Sequence, residues 1–379
     1  MKKLLILLLS AAVACAGCSN SGGKQETDIQ SSISQVAEKM VGKPLIRAVS
    51  IGVVYRGQAF VGHRGELEDG KANPPDNETV YEIGSLSKTF AGTLMARAVL
   101  EKKLDLDDDI RKYLSGSYPN LAYLDQPIRI KHLLSHTSGL PNMLPLEASV
   151  VLQDFTSHST PGKLDEVYRN YGQADFLRDL HDVKITESPG HKYSYSSVGT
   201  ELTAHILEAV YGTDYESLLV GYFSSEVGMT STRIVLGKEQ GGKLAIGYHS
   251  DNAVPTSVMP KLPWGASGNV KSTVPDMLKY MKFQLGGNGI VAESHREIVR
   301  FDNEFAISYF WNINTGNANL GTYYSHHGGV PRSQCYVYIV PEYDLGLFII
   351  TNQSGDKTAS VMEAALDELL EVVAAKQKN

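Results

Sequence analysis

The sequence predicts one α/β body of the α+β kind: a single antiparallel sheet built from the N- and C-terminal segments, flanked by helices, with a mostly helical subdomain, roughly residues 86–265, inserted between them. Three observations point there. Strand-like runs sit at both ends of the chain, at 48–55 and 58–63 and again in series between 306 and 351. The long middle carries helix patterns and loops with few strand signals. The first and last regular segments are amphipathic helices, which need a sheet face to cover.

Taken in order, Met1-Lys2-Lys3 and the apolar run 4–13 have the charged start and short greasy middle of a secretory signal, too short to span a bilayer. The run ends at Cys15-Ala16-Gly17-Cys18, whose Ala-Gly-Cys resembles a bacterial lipoprotein processing site. Cys18 is then the lipid-bearing first residue of the mature chain, although Cys15 stands where that pattern usually has leucine; simple secretion is the alternative. Cleavage before Cys18 leaves Cys335 without an internal thiol partner, so no disulfide forms within the mature chain. The expected organisation is a signal at 1–18, a polar tether at 19–28 and one domain at 29–376.

Ile29, Ile33, Val36 and Met40 recur at helical spacing, and the runs 48–55 and 58–63 make a hairpin through Arg56-Gly57. Tyr81-Glu82-Ile83-Gly84-Ser85-Leu86-Ser87-Lys88 then opens a helix whose Leu86, Phe90, Leu94 and Ala98 form an apolar stripe. Residues three apart share a helix face, so the Ser85 hydroxyl and the Lys88 amine can meet. A serine attacks only when a base takes its proton, and a lysine acts as base only where its surroundings keep it partly neutral. Unpaired N–H groups in a first helical turn can also stabilise an oxyanion.

The acidic run 105–109 lacks the glycine and terminal glutamate of a calcium loop and reads as a solvated helix start. Residues 127–141 predict a helix ending on Gly139 and Pro141. Its His132 and His136 are four apart, but Leu133 stands where a zinc peptidase needs a glutamate base, so structural hydrogen bonding is expected and no metal site. Helices and loops fill 142–182, Ser188-Pro189-Gly190 is a turn, and a helix follows Tyr195-Ser196-Ser197 through Leu202, Ile206 and Val210. After irregular stretches, 274–285 reads as a helix. Strands are expected at 306–313, 321–326, 334–340 and 346–351, and a closing helix at 360–375.

A chain of 379 residues, 42% hydrophobic and 20% charged, suits an enzyme with a large core. A net charge of −7 with no basic stripe argues against nucleic acid.

Three separated signatures line up: Ser85-Leu86-Ser87-Lys88, Tyr195-Ser196-Ser197 after Pro189-Gly190, and His326-His327-Gly328-Gly329 entering a strand. With Leu133-Leu134-Ser135-His136-Thr137-Ser138-Gly139-Leu140-Pro141, Ala245-Ile246-Gly247-Tyr248 and Gly268-Asn269-Val270-Lys271-Ser272-Thr273, the chain resembles the serine β-lactamase and penicillin-binding-protein superfamily. The likeness is to its class C branch, with D-alanyl-D-alanine carboxypeptidases, D-aminopeptidases and esterases, and covers roughly residues 30–370. The rival α/β-hydrolase pattern fails because no G-x-S-x-G surrounds Ser85.

The resemblance implies a β-lactamase/transpeptidase-like fold, Ser85 as the acylated nucleophile, Lys88 as its activator and Tyr195 as base, either as phenolate or through Lys88. The N–H groups of Ser85 and Gly329 would form the oxyanion hole, with Ser197, His326, Gly328 and Gly329 contacting substrate. Two departures matter: Ser197 replaces a frequent asparagine, and His326 stands where many β-lactamases have lysine. An unperturbed imidazole at 326 would hold a substrate carboxylate only while protonated, up to about pH 6.5. The expectation is a hydrolase of D-amino-acid peptides or esters, with a β-lactamase or a slowly turning penicillin binder as alternatives. It needs no cofactor, takes a small-molecule or cell-wall peptide substrate, and is exported and lipid-anchored at Cys18, in the periplasm or at the outer membrane.

Overall fold

The computed structural model describes residues 21–43, 46–250, 254–317 and 320–377. The signal segment and Cys18 lie outside the described residues. The first helix, α1 (Ser21–Val41), starts within the stretch expected as a tether. Adding residues to a helix already anchored by packing costs little, and that anchor is the buried set Ile29, Ile33, Val36 and Met40.

One eight-stranded antiparallel sheet organises the molecule. Its strands are β1 (Ala48–Tyr55), β2 (Gln58–Gly65), β3 (Val299–Arg300), β4 (Phe305–Ile307), β5 (Asn312–Asn314), β6 (Tyr323–Val330), β7 (Ser333–Val340) and β8 (Leu345–Thr351). Their spatial order is β2-β1-β8-β7-β6-β5-β4-β3, so the N-terminal hairpin pairs with the last strand, Ile51 opposite Ile349. This is the expected joining of the two chain ends into one sheet.

Strands β1 and β8 are buried along their whole length because both sheet faces are covered. On one face, Val49, Ile51, Val53, Leu347 and Ile349 meet α1 and the closing helix α6 (Asp356–Gln377) through Met362, Leu366 and Leu369. On the other lie α5 (Val274–Leu285) and α2 (Ser87–Leu100), whose Phe90 stacks on Tyr280 with ring centroids 4.3 Å apart. Nearly every α2 residue from Ser87 to Ala98 is buried, so this helix is a central rod rather than a surface stripe. Among the described residues no helix is long and apolar enough to cross a membrane.

Two expectations are corrected. The helix expected over 127–141 is the short α3 (Ile130–Leu134). It unwinds because His136 takes a left-handed backbone, φ 55°, while the Thr137 N–H returns to the His132 carbonyl. The single strand expected over 306–313 is split into β4 and β5 by a tight turn. There the Ser308 N–H bonds the Trp311 carbonyl and the Phe310 N–H bonds the Leu134 carbonyl at 2.9 Å. The buried aromatics Tyr309, Phe310 and Trp311 favour that turn over ladder pairing, and it carries Phe310 toward the α3 end.

Candidate active site

Ser85 sits in a single 3₁₀ turn, Gly84–Leu86, that feeds α2. The turn is held from below: Ser87 Oγ donates to the Gly84 carbonyl at 2.6 Å and accepts from the Val270 N–H at 3.1 Å. Gly84 has φ 53°, and a Cβ there would stand 2.7 Å from the Gly329 nitrogen, so only glycine lets the nucleophile turn lie against β6. Gly328 serves the same approach from the other side, since a Cβ would meet the Ile83 carbonyl at 2.0 Å. Gly328 thus packs against the Ile83 carbonyl beneath the nucleophile turn.

The Lys88 amine donates to Ser85 Oγ at 3.3 Å and to the Ser267 carbonyl at 2.7 Å. Lys88 is fully buried, and desolvation brings its pKa down to about 7, opposed by the negative charge of Glu201. At pH 7 about half of such amines are neutral, against roughly one in 2500 for an ordinary lysine. The Tyr195 hydroxyl bonds Ser85, and its ring lies 4.8 Å from the Lys88 nitrogen. Tyr195 is half-buried as a residue, and the burial of its hydroxyl raises the phenol well above its usual range, opposed by the bond to Ser85. Of the two expected forms of base, the neutral Lys88 amine is the one this electrostatic setting supplies near neutrality; Tyr195 stays a phenol.

His326 is also buried, and burial together with the nearby Lys88 charge depresses its pKa to about 3. Its Nδ1 donates to the His327 carbonyl at 2.7 Å, leaving Nε2 as an acceptor. The expected titration near pH 6.5 is therefore overturned: the ring stays neutral. His136 packs its ring 4.6 Å from that of Tyr195 and 5.2 Å from that of Phe310, with its Nδ1 accepting the Ser196 N–H. His132 Nδ1 accepts the Arg129 N–H, so both histidines of the zinc-like spacing do structural work. Among the described residues no cluster of His, Cys, Asp or Glu could hold a metal ion.

Two arms of a cleft, about 230 and 320 Å³, meet at Ser85, and Tyr195, Phe155 and Gly329 line both. The first is walled by Met143, Leu152, Leu164, Met259 and Leu262, with Asn142 and Ser197 beside the nucleophile. The second is walled by His136, Tyr193, Phe310, Asn312 and His326. Among the described lining residues there is no lysine or arginine. A larger surface depression, about 630 Å³, lies elsewhere, and some of its charges pair with each other, as in Lys243–Glu78 at 3.1 Å and Lys279–Asp276 at 2.9 Å.

Two residues were not singled out in the sequence. Asn142 accepts from Ser197 Oγ at 3.3 Å, so a carboxamide does stand at the position where Ser197 alone lacks one. Glu201 lies one turn into α4 (Ser197–Tyr211), fully enclosed behind Lys88. Its signal is an acid on the core stripe of an apolar helix, between Val198 and Leu202.

The profile of the Beta-lactamase family matches residues 33–371. Protein flp of Staphylococcus aureus (strain MRSA252) is 24% identical over 349 residues, which is 89% of this chain but 65% of that protein's own length. A beta-lactamase of Pseudomonas fluorescens is 24% identical over 260 residues, 68% of this chain and 65% of that one. In three dimensions the chain is similar to a beta-lactamase/D-alanine carboxypeptidase from Yersinia pestis complexed with citrate, with TM-score 0.73, 22% identity, and coverage of 92% of this chain and 99% of that one. It is similar also to a class C beta-lactamase, with TM-score 0.75, 19% identity, and coverage of 91% and 96%.

Proposed function

The chain belongs to the beta-lactamase family, and on that footing we propose that it is an exported serine hydrolase working through an acyl-enzyme on Ser85, with uncharged esters as its preferred substrates. The observation that carries the reading is the buried Lys88 amine, brought down to a pKa of about 7 and 3.3 Å from Ser85 Oγ. The neutral amine takes the Ser85 proton as Oγ attacks the carbonyl carbon. The oxyanion develops beside the backbone amides of Ser85 and Gly329. Collapse breaks the bond to the leaving group, and the proton held on Lys88 returns to that group through the Tyr195 hydroxyl. Water then attacks the acyl-serine by the same steps in reverse order, freeing Ser85 and the acid.

The cleft supports the choice of ester over D-peptide or β-lactam. A C-terminal D-amino acid and a penicillin each carry a carboxylate, and burying an unpaired carboxylate is costly. The described walls offer no guanidinium or ammonium to meet it, and His326 is neutral. An uncharged ester has no such cost, and its acyl chain suits the wall of Met143, Leu152, Leu164 and Met259.

Steady-state kcat/KM for a short-chain p-nitrophenyl ester, a D-alanyl-D-alanine peptide and a penicillin tests the reading. The ester is expected to lead by tenfold or more. A leading D-peptide or penicillin overturns the ester assignment, and a penicillin adduct that persists for hours points instead to a binder. Export and anchoring at Cys18 are proposed with it: Cys18→Ala should move the protein from the membrane to the soluble fraction, and an unchanged distribution contradicts the anchor.

A further inference from the structure

Glu201 is buried, 3% exposed, and four donors converge on it; burial pushes its carboxyl upward, and the hydrogen bonds from Ser267 and Trp264 and the charge of Lys88 oppose that push. Oε2 accepts the N–H groups of Trp264 at 2.7 Å and Gly265 at 3.0 Å; Oε1 accepts the Ser267 N–H at 2.8 Å and the Ser267 hydroxyl at 2.6 Å. A carboxylate has about four acceptor sites and, when ionised, no donor, so four incoming donors fit the anion and fill it. A protonated acid would turn its O–H toward a backbone N–H or toward the Ser267 hydroxyl, the one of the four that can accept it, so three of the four contacts require the anion's acceptor oxygens. The loop so gathered is the one whose Ser267 carbonyl accepts the Lys88 amine at 2.7 Å. From Glu201 to Lys88 the path runs through one residue, in by the Ser267 N–H and out by its carbonyl.

We propose that Glu201 is a positioning residue for the Ser85 reaction: it folds the 264–267 loop so that the Ser267 carbonyl aims the Lys88 amine at Ser85, and it supplies the buried negative charge that sets how readily that amine holds a proton. This rests on the acyl-enzyme reading above. The other groups around Lys88 are Tyr195 from the loop before α4, His136 from the segment after α3 and His326 from β6. All three are neutral near pH 7: the phenol is raised and both imidazoles are lowered by burial. Tyr168 and Tyr215 face Glu201 and are likewise held as phenols. Glu201 is therefore the charge that opposes the desolvation of Lys88. Removing it should make Lys88 a weaker base that loses its proton at lower pH.

The test is the pH profile of ester kcat/KM in Glu201→Gln and Glu201→Asp, with thermal unfolding followed in parallel. In Glu201→Gln the acid limb should move down by roughly one pH unit, the lower end of what a neighbouring charge does. Its plateau should fall by tenfold or more, because an amide nitrogen cannot accept two of the four donors. In Glu201→Asp the charge stays but the reach shortens, so the plateau should fall with the limb unmoved. A purely structural acid would lower the plateau in both and move the limb in neither, and that result overturns the proposal. If Glu201→Gln does not fold, Glu201→Asn takes its place against Glu201→Asp, which has the same reach and keeps the charge: a limb lower in the asparagine variant supports the proposal, and coincident limbs overturn it. Fluorophosphonate labelling of the wild type separates the two levels: no label at Ser85 brings down the reaction and the Glu201 role together, whereas a label with an unmoved limb in Glu201→Gln brings down the Glu201 role alone.

Discussion

Replacing Gly84 with alanine probes the nucleophile turn through one added carbon. That carbon would stand 2.7 Å from the Gly329 nitrogen and 2.9 Å from the Gly329 carbonyl carbon and oxygen. Ordinary contacts of a Cβ begin at 3.4 Å, so the two backbones must part by roughly 0.7 Å. Both are backbone, with no flexible side chain to yield. The backbone at φ 53° adds about 1 kcal/mol of local strain for any residue with a Cβ. Oxyanion donors act within about 0.4 Å of their best position, and losing one costs on the order of 10²–10³ in kcat, roughly 3–4 kcal/mol. Gly84→Ala should therefore lose at least about a hundredfold in kcat on an activated ester, with KM changed little and an unfolding midpoint only a few degrees lower. Stopped-flow acylation and thermal unfolding on the same sample measure both. A kcat within threefold of wild type would show that the contact between the nucleophile turn and Gly329 does not shape the oxyanion site.

The titration of Lys88 sets the acid limb. Ester kcat/KM should rise about tenfold per pH unit below a midpoint near 7 and level off above it, and a midpoint below 5.5 would mean that another group is the base. Lys88→Ala and Tyr195→Phe should each cost about 10³ or more in acylation, and the double variant little beyond either, because residues that pass one proton act as a unit; fully additive losses would contradict that. Since His326 stays neutral, the ratio of kcat/KM for a carboxylate-bearing substrate to that for a neutral ester should be level between about pH 5.5 and 8, and His326→Lys should raise it roughly tenfold. A ratio that falls across that window would put a protonated imidazole back in the site. The buried imidazoles also predict acid sensitivity: His132 is lowered to about 4, His295 and His326 to about 3, and His136 well below its usual value. The unfolded chain takes up protons as pH falls through about 6.5 while the folded chain does not, so their stabilisation is full above that pH and is lost below it. Urea midpoints should fall steadily from pH 6.5 to 5, and a flat profile would contradict the burial.

The sheet joining the chain ends was legible because strand signals concentrate there and both terminal helices are amphipathic. Its buried strands needed no alternation to be found, since Ala48–Tyr55 is apolar on both faces apart from Ser50. Ser85 and Lys88 were legible from a spacing of three, which holds in any helical turn. Phe310 was not, because its strand breaks through a bond to the carbonyl of distant Leu134, and sequence shows no such partner. The charge state of His326 was misjudged for a related reason: the side chain is ordinary, and only its enclosure beside Lys88 removes the proton. Glu201 hid in plain view as one acid in an apolar helix, where the usual expectation is solvent exposure. Its donors come from Trp264, Gly265 and Ser267, more than sixty residues away, in a stretch that read as irregular.

Covalent chemistry at Ser85 is most directly tested by peptide-level mass spectrometry after a brief reaction with an activated ester, quenched in acid. The acyl group should be found on the peptide containing Ser85, decay with time as water releases it, and vanish in Ser85→Ala while that variant keeps its unfolding temperature. An acyl group on any other residue, or turnover that persists in Ser85→Ala, would contradict the assignment of Ser85 and the mechanism built on it.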